Sequence, residues 1–519
     1  MVRLCIDGRP VEAPEGTTVL QASKSAGIRI PHFCHHPAFP PEGSCRICLV
    51  AIEGLPKLEL ACSTVVREGM KVTTECDNVR AARRAVLEFL LAEHPLDCPI
   101  CDKAGDCKLQ DYSREHGVTE NAFSEIKEKR AKLVPIGDKL LLDRERCILC
   151  SRCVRFLTRV TGTRELGIFR RGIMAEVDLY EGEPIRNNYS GNLADVCPVG
   201  AITDVEFRFR TRPWFLQEKP TLCPLCSRGC NLWADYHPGF PRLADSAGIF
   251  RFRPRPNEAV NGHWICDIGR YGAMALVRNR VREIQWINRG PRGFPNWEKA
   301  LAFGAAGIHE LRQSGRIGQA ALLLSARLTA EELYLARKIF VDGLGFVRIA
   351  FADPAEGPDD AILLRRERAP NARGARMLGF DTKAGLSAAV SGASTLWIFG
   401  AGPAGLVSLR DAPGPLQQAA GVKILIAAHP TGLEPLVDVV LPAASVFEKG
   451  GTYVNTDGLV QAFEPVHPPC GEARPEWRIL LDLGAALRLP GEIFKGPADL
   501  ISVSRALRIE HPEFLGEVG

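Results

Sequence analysis

Cys147-Ile148-Leu149-Cys150-Ser151-Arg152-Cys153, closed farther along by Cys197-Pro198, is the stretch that decides how this chain is read. Three cysteines at C-x2-C-x2-C spacing with a distant Cys-Pro make the bacterial [4Fe–4S] pattern. In two-cluster ferredoxins the Cys-Pro cysteine serves the other cluster. Only one such triplet is present here, so Cys197 most simply closes its own set. Zinc is a weak rival for this set.

Working outward, the other cysteines are grouped too. Of 18, all but Cys470 precede residue 270. In a secreted chain such groups suggest disulfides, and in a cytosolic one they mean metal. Cys34, Cys45, Cys48 and Cys62 are spaced C-x10-C-x2-C-x13-C. Four thiolates suit a [2Fe–2S] centre, although the first gap and the short final gap depart from the plant-type spacing. Zinc is the alternative for these four. His32, His35 and His36 flank Cys34, but four cysteines already complete the set, so the histidines are read as neighbours rather than ligands.

His94, Cys98, Cys101 and Cys107 form a set spaced H-x3-C-x2-C-x5-C. A histidine before a proline usually just ends a helix. Here three cysteines lack a fourth partner, and no other cysteine lies near them. An imidazole is neutral where a thiolate is negative, so this ligand should raise a cluster's potential, as it does in Rieske centres. A Cys3His zinc site remains the rival. Cys223, Cys226, Cys230 and Cys266, spaced C-x2-C-x3-C-x35-C, again suit a [4Fe–4S] centre. Cys5, Cys76 and Cys470 are left over. Cys5, on a predicted strand, reads as a packing residue.

Around these sets the chain reads as several domains, since 519 residues exceed one core. Val2, Leu4 and Ile6 alternate as a strand, Asp7-Gly8 signals a hairpin turn, and Val11 and Ala13 resume the alternation. Thr18 and Gln21 offer a capping box for a helix to about Ala26, with Gly27 just past its end. This start predicts a β-grasp domain over 1–78, with a long Cys-bearing loop from Pro31 to about Cys48. Residues 80–93 look helical, with Val86, Phe89 and Leu90 on one face and Arg80, Arg83 and Arg84 around it. The remaining divisions are a His-Cys segment at 79–118, a ferredoxin-like domain at 138–208, a third cluster-bearing domain at 216–275, and an α/β domain at 276–519. The last division rests on β-like runs at 320–324, 396–399 and 422–426 between helical stretches, which predict a largely parallel sheet. Thr329 and Glu332 offer another capping box. The fold class is thus α+β and α/β, multidomain.

Composition sets the class. Hydrophobic content of 46% and charged content of 24% fit a globular protein. A net charge of +4 with no basic stripe gives no reason to expect nucleic acid. No apolar run is long enough for a transmembrane helix. Asp7, Gly8 and Pro10 fall where a signal peptide needs an apolar core, which predicts a cytoplasmic chain. Gly400-Ala401-Gly402-Pro403-Ala404-Gly405 is a literal GxGxxG. It does not open its domain, and the next strand ends in Ala427, Ala428 and His429 with no acid for a ribose, so it reads as a tight strand-to-helix turn.

The ordered sets resemble one family, the large iron–sulfur subunit (the G subunit) of NADH-quinone oxidoreductase, respiratory complex I. The resemblance is carried by IDGRPVEAPEGTTVLQASKSAGI, HPLDCPICDKAGDCKLQD, YSGNLADVCPVGAIT, WICDIGRYG, VDVVLPAASVFEKGGTYVNTDGLVQ and GEARPEW. It implies one [2Fe–2S] and three [4Fe–4S] clusters on the sixteen residues above. It implies electrons arriving from a flavin subunit that oxidises NADH. They would pass the Cys34, Cys147 and His94 sets in that order toward quinone-side iron–sulfur subunits. The Cys223 set resembles the family's off-path centre. The C-terminal part resembles a molybdopterin-oxidoreductase fold without its molybdenum, here shortened. The implied place is the cytoplasmic face of a bacterial inner membrane, peripheral, with the membrane arm reached only through other subunits. A molybdenum enzyme such as a formate dehydrogenase is a second reading, and stoichiometric molybdenum would establish it. The cluster subunit of an NAD-linked hydrogenase is a third, which the neighbouring genes would reveal. A zinc scaffold is a fourth, which would be colourless and free of iron.

Overall fold

Asp7 and Gly8 both take left-handed backbone, with φ of 49° and 78°, the geometry that a tight two-residue hairpin requires. They join Val2–Ile6 (β1) to Arg9–Ala13 (β2). The Asp7 carboxylate also accepts hydrogen bonds from Thr74 N at 2.6 Å and Thr74 Oγ1 at 2.5 Å, which pins the turn to a distant strand. The helix Val19–Ser25 (α1) starts on the expected capping box of Thr18 and Gln21, and Gly27 follows its end with φ of 72°. Leu49–Ile52 (β3), Glu59–Leu60 (β4) and Lys71–Thr73 (β5) complete a sheet of order β2-β1-β5-β3-β4. Its β1–β5 pair is parallel and its other pairs are antiparallel, as in a β-grasp.

This is a computed structural model. It describes every residue except 119, 121, 240–247, 290–294, 352–355, 383–384, 401–413 and 517–519. All but the first residue of the GxGxxG stretch therefore lie outside the described residues. The chain divides into two units, Met1–Phe215 and Leu216–Gly519.

Two readings of the first unit change. Cys5 is not core: Leu4 and Ile6 are buried, whereas Cys5 points to the other face of β1 and is partly exposed. The second helix, Asp77–Glu93 (α2), starts earlier than expected and buries Val79, Arg83, Leu87 and Leu91. Phe89 is 70% exposed. Arg83 is buried because its guanidinium bonds Glu75 and the Leu49 carbonyl, laying its aliphatic stem against the β-grasp sheet. Beyond Lys108–Glu115 (α3), the strands Val134–Gly137 (β6) and Leu140–Leu142 (β7) form a hairpin that leads into Cys147. Arg152–Phe156 (α4) follows the cysteine triplet. The hairpin Leu166–Phe169 (β8) with Glu176–Leu179 (β9) intervenes before Asn192–Val196 (α5), which leads into Cys197. Ile202–Asp204 (β10) then returns to pair with β7.

The second unit opens with an antiparallel sheet of Gln217–Leu222 (β11), Asn231–Tyr236 (β12) and Ile249–Pro254 (β13), followed by the helix Asp267–Ala275 (α6). Its main sheet holds Gln285–Trp286 (β14), Ala320–Leu324 (β15), Arg348–Phe351 (β16), Thr395–Phe399 (β17), Lys423–Ala427 (β18) and Val439–Pro442 (β19). The order is β14-β19-β18-β17-β15-β16. All neighbours are parallel except β14 with β19, so the expected parallel sheet is present. Both faces are covered, which is why these strands read as unbroken apolar runs. Leu322, Trp397, Phe399 and Ile426 enter one core; Leu323, Leu396, Ile398 and Leu425 enter the other. The helix Trp297–Gln313 (α7) covers the first face through Gly304, where a Cβ would meet Ile424 Cδ1 at 2.5 Å. The expected box of Thr329 and Glu332 caps Ala330–Ala336 (α8).

Candidate metal centres

The first set hangs on the loop between α1 and β3 and on the residues after β4. Cys34, Cys48 and Cys62 are buried and Cys45 is half-buried. The sulfurs come in two hydrogen-bonded pairs, Cys34 with Cys45 and Cys48 with Cys62. In each pair the hydrogen bond pulls one thiol down and pushes its partner up: Cys34 and Cys62 fall, Cys45 and Cys48 rise. Two close thiols competing for protons are a natural clamp for a cation. Two such pairs side by side match a two-iron centre, with one pair for each iron. Burial lowers His32 to about 3 and His35 to about 4, so both rings are neutral. His32 Nδ1 lies 3.0 Å from the Ile30 carbonyl, while His35 Nδ1 has no hydrogen-bond partner.

The second set is assembled at the end of α2. His94 caps that helix, and Lys127 Nζ donates to the helix-end carbonyls of Leu91, Ala92 and His94 at 2.5–3.0 Å. Burial lowers His94 to about 4, leaving a neutral imidazole, and its buried Nδ1 has no hydrogen-bond partner. Cys101 and Cys107 are buried and Cys98 is half-buried. Burial raises Cys107 to about 11, against the backbone N–H groups of Gln110 and Leu109 at the start of α3. Burial raises Cys101 too, with the Arg146 charge opposing it.

The third set lines one cavity. Cys147, Cys150, Cys153 and Cys197 face it together with Leu142, Ile148, Val177, Val199 and Ile202. Leu149 and Ser151 sit between the cysteines with φ of 51° and 60°, left-handed turns that curl the triplet around a centre. Burial raises Cys147 to about 12 and Cys150 to about 11, and raises Cys153 as well; the neighbouring thiols add to the effect. The fourth set lies in the second unit. Cys223, Cys226 and Cys230 occupy the turn from β11 to β12, where Cys223 N bonds the Cys230 carbonyl at 2.8 Å. Cys266 caps α6, its sulfur accepting from Gly269 N at 3.2 Å. All four are buried, and a Cβ at Gly269 would lie 3.3 Å from both Cys223 Sγ and Cys266 Sγ.

Among the described residues, no group of three or more His, Cys, Asp or Glu side chains gathers as one metal ion requires. A cluster spreads its thiolates over several irons. The donors present, buried and half-buried thiols and one neutral imidazole, fit iron–sulfur ligation in type.

The arrangement within the first unit does not follow chain order. From α4, Arg155 donates to the Cys34 carbonyl and Arg152 to the His35 carbonyl, joining the third set to the first. On its other side, the third set meets the second. A Cβ at Gly200 would stand 2.3 Å from Cys101 Sγ, and Lys108 N bonds the Pro198 carbonyl at 3.0 Å. Arg146, next to Cys147, grips Asp97 at 3.1 and 2.5 Å. Motif spacing does not reveal Arg146, Arg152, Arg155 or Gly200. Their one signal is position, each within three residues of a candidate ligand.

In the second unit, charged side chains pair with one another near the carboxyl ends of β18 and β19. Arg280 donates to the Ala428 carbonyl at 2.8 Å and the Ala443 carbonyl at 2.7 Å, and pairs with Glu448 at 2.5 Å. Lys449 bridges Glu332 at 2.6 Å and Glu476 at 2.8 Å, all three buried. His429 is buried against the Arg278 carbonyl at 3.1 Å. Cys470 lies by Glu448 and is raised by burial; no role follows for it, or for Cys76.

Four family models match the chain. They are a 2Fe-2S iron-sulfur cluster binding domain at 1–76, the NADH-ubiquinone oxidoreductase-G iron-sulfur binding region at 83–122, the ferredoxin-like domain of NADH-quinone oxidoreductase subunit 3 at 137–203, and molybdopterin oxidoreductase at 367–486. The NADH-quinone oxidoreductase G subunit of Streptomyces coelicolor is 35% identical over 465 residues, 86% of this chain and 52% of that protein. The corresponding G subunit of Mycobacterium tuberculosis is 38% identical, covering 70% and 44%. Subunit 3 of the Thermus thermophilus enzyme is 36% identical, covering 65% of this chain and 46% of that protein. The chain thus spans about half the length of these curated relatives. A solved chain of an NAD+-reducing [NiFe]-hydrogenase is 33% identical with a TM-score of 0.38, covering 41% of this chain and 91% of that one.

Proposed function

The chain is a homologue of the NADH-quinone oxidoreductase G subunit, and from that premise we propose that it carries electrons in such an enzyme. The proposed ligands are Cys34, Cys45, Cys48 and Cys62 for one [2Fe–2S] cluster. Three [4Fe–4S] clusters take His94 with Cys98, Cys101 and Cys107; Cys147, Cys150, Cys153 and Cys197; and Cys223, Cys226, Cys230 and Cys266. Clusters bound there supply reversible one-electron chemistry. The chain's own residues hold them, keep water from them and set the charge around them. No acid–base or nucleophilic site is required.

One observation carries this reading: the third ligand set touches the first on one side and the second on the other. That double contact supports a relay from the Cys34 set to the Cys147 set to the His94 set. Electrons would enter from a flavin- and NADH-binding subunit and leave to quinone-side iron–sulfur subunits. The Cys223 set, in the other unit, is assigned to a side branch. The molybdopterin-oxidoreductase region is assigned no molybdenum. In an open α/β sheet, a ligand sits at the carboxyl ends of the strands, and Arg280, Glu448, Lys449, Glu332 and Glu476 pair with one another there. No helix among the described residues is long and apolar enough to cross a membrane. We propose a peripheral place on the cytoplasmic face of the inner membrane, held through partner subunits, from the likeness to NADH-quinone oxidoreductase G subunits.

Iron, acid-labile sulfide and molybdenum per chain, with EPR of the reduced protein, test the reading. About 14 irons, one [2Fe–2S] signal and three [4Fe–4S] signals are expected. Zinc in place of iron, or stoichiometric molybdenum, overturns it.

A further inference from the structure

Arg152 is a buried cation without an anion. It is 5% exposed, and among the described residues no carboxylate pairs with it. Its Nη1 donates to the Val196 carbonyl at 3.2 Å and its Nη2 to the His35 carbonyl, while its Nε is buried with no partner. Its neighbours are differently placed. Arg155 has Glu42 at 2.8 Å, and Arg146 has Asp97 at 2.5 Å and Asp143 at 3.3 Å. An unpaired charge in a protein interior is expensive, and a chain that keeps one has an anion for it elsewhere.

The anion is indicated by what surrounds the guanidinium. The two carbonyls that hold it belong to the residues next to Cys34 and next to Cys197. The acidic groups that act on its charge are the thiols of Cys150, Cys197 and Cys34, members of the third and first sets. A centre bound by four thiolates carries net negative charge that grows by one on reduction. A fixed cation between two such centres therefore favours reduction of both. Of the other cations nearby, Arg155 pairs with Glu42, while burial lowers Lys108 to about 8.

We infer that Arg152 is the shared counter-cation of the Cys34 and Cys147 centres, a positioning residue that holds their two loops together and raises both potentials in concert. This rests on reading those two sets as clusters. A guanidinium spans two carbonyls with its planar fork and cannot lose its proton, whereas a lysine supplies the charge without the fork. Charge and clasp can therefore be separated.

The test uses the whole chain loaded with its clusters, and follows both centres by EPR-monitored redox titration. Arg152→Met should make both centres at least tenfold harder to reduce, 59 mV for a one-electron couple. Arg152→Lys should keep both within threefold of the parent. Unmoved potentials in Arg152→Met, or a change in only one centre, overturn the inference. If Arg152→Met does not load, Arg152→Lys decides alone: parent-like potentials support the shared charge, and a tenfold fall in either centre refutes it. If neither variant loads, the residue is structural only and the inference fails. Absence of both signals from the parent protein would instead refute the cluster reading beneath it.

Discussion

Gly200→Ala adds one methyl group at the contact between the third and second ligand sets. The new Cβ would stand 2.3 Å from Cys101 Sγ and 3.2 Å from Lys103 Cβ. Non-bonded heavy atoms settle at about 3.5–4.0 Å, so the sulfur must retreat by more than about 1 Å. Ligand distances tolerate only about 0.2 Å. Neither side gives easily. Arg212 holds the Cys101 carbonyl at 2.6 Å and the Pro99 carbonyl at 2.8 Å. The Gly200 segment is fixed by the Lys108 N to Pro198 carbonyl bond at 3.0 Å and by Lys103 Nζ on the Ala194 carbonyl at 3.2 Å. Gly200 does not use left-handed backbone, so alanine strains nothing but this contact. The fold should lose about 1–3 kcal/mol, the usual cost of overpacking. The specific effect is loss of the His94 centre: iron falls from about 14 to about 10 per chain, one [4Fe–4S] signal disappears, and the other three stay. Full iron content with an unchanged His94-centre spectrum would refute the claim that Cys101 is a ligand packed against this glycine.

The other predictions concern separate parts of the molecule. His94→Cys keeps four donors but adds a negative charge, so a cluster should remain at a lower potential; an unchanged spectrum and midpoint would remove His94 from the ligand set. Lys449→Met leaves the buried carboxylates of Glu332 and Glu476 without their cation, and should lower stability by about 3–5 kcal/mol in denaturant titration; a loss under about 1 kcal/mol would show that the two acids protonate at little cost. His429 is lowered to about 4 by burial, from about 6.5 when unfolded. Its folded pKa is depressed, so the unfolded chain binds the extra proton first. The stability it contributes is full above about pH 6.5 and is lost as pH falls toward about 4, by roughly 3 kcal/mol in all. Melting temperature against pH should therefore fall less steeply across that window in His429→Gln than in the parent, and parallel curves would contradict the assignment.

Local structure is legible where its cause is local. Thr18 with Gln21, and Thr329 with Glu332, cap helices because the reciprocal bonds lie within one turn. Asp7-Gly8 turns because its own backbone permits it. Legibility ends where burial is decided by a partner distant in sequence. The buried face of α2 differs from the expected one because Arg83 looks like a solvent residue until Glu75 and the Leu49 carbonyl receive it. Cys5 reads as core from its strand, yet strand alternation sends Leu4 and Ile6 inward and leaves Cys5 on the other face. The cysteine groupings are legible in part: the structure brings Cys147, Cys150, Cys153 and Cys197 to one cavity and the first four cysteines into two bonded pairs.

The order of the sets in space is a different kind of information. The third set is made from two segments far apart in the chain, and each segment has its own neighbour. The Cys147–Cys153 segment runs into α4, whose arginines hold the Cys34 loop. The Cys197 segment continues through Pro198 and Gly200, which hold Cys101 and Lys108. The split set therefore adjoins both others although it follows both in sequence, and the helix after Cys107 also meets the Cys34 loop, where Tyr112 Oη accepts from His32 N at 3.3 Å. Spacing within each motif does not encode which motif lies beside which. That choice is made by the residues between and just after the cysteines, Arg152, Arg155 and Gly200, which bond or pack against the neighbouring sets.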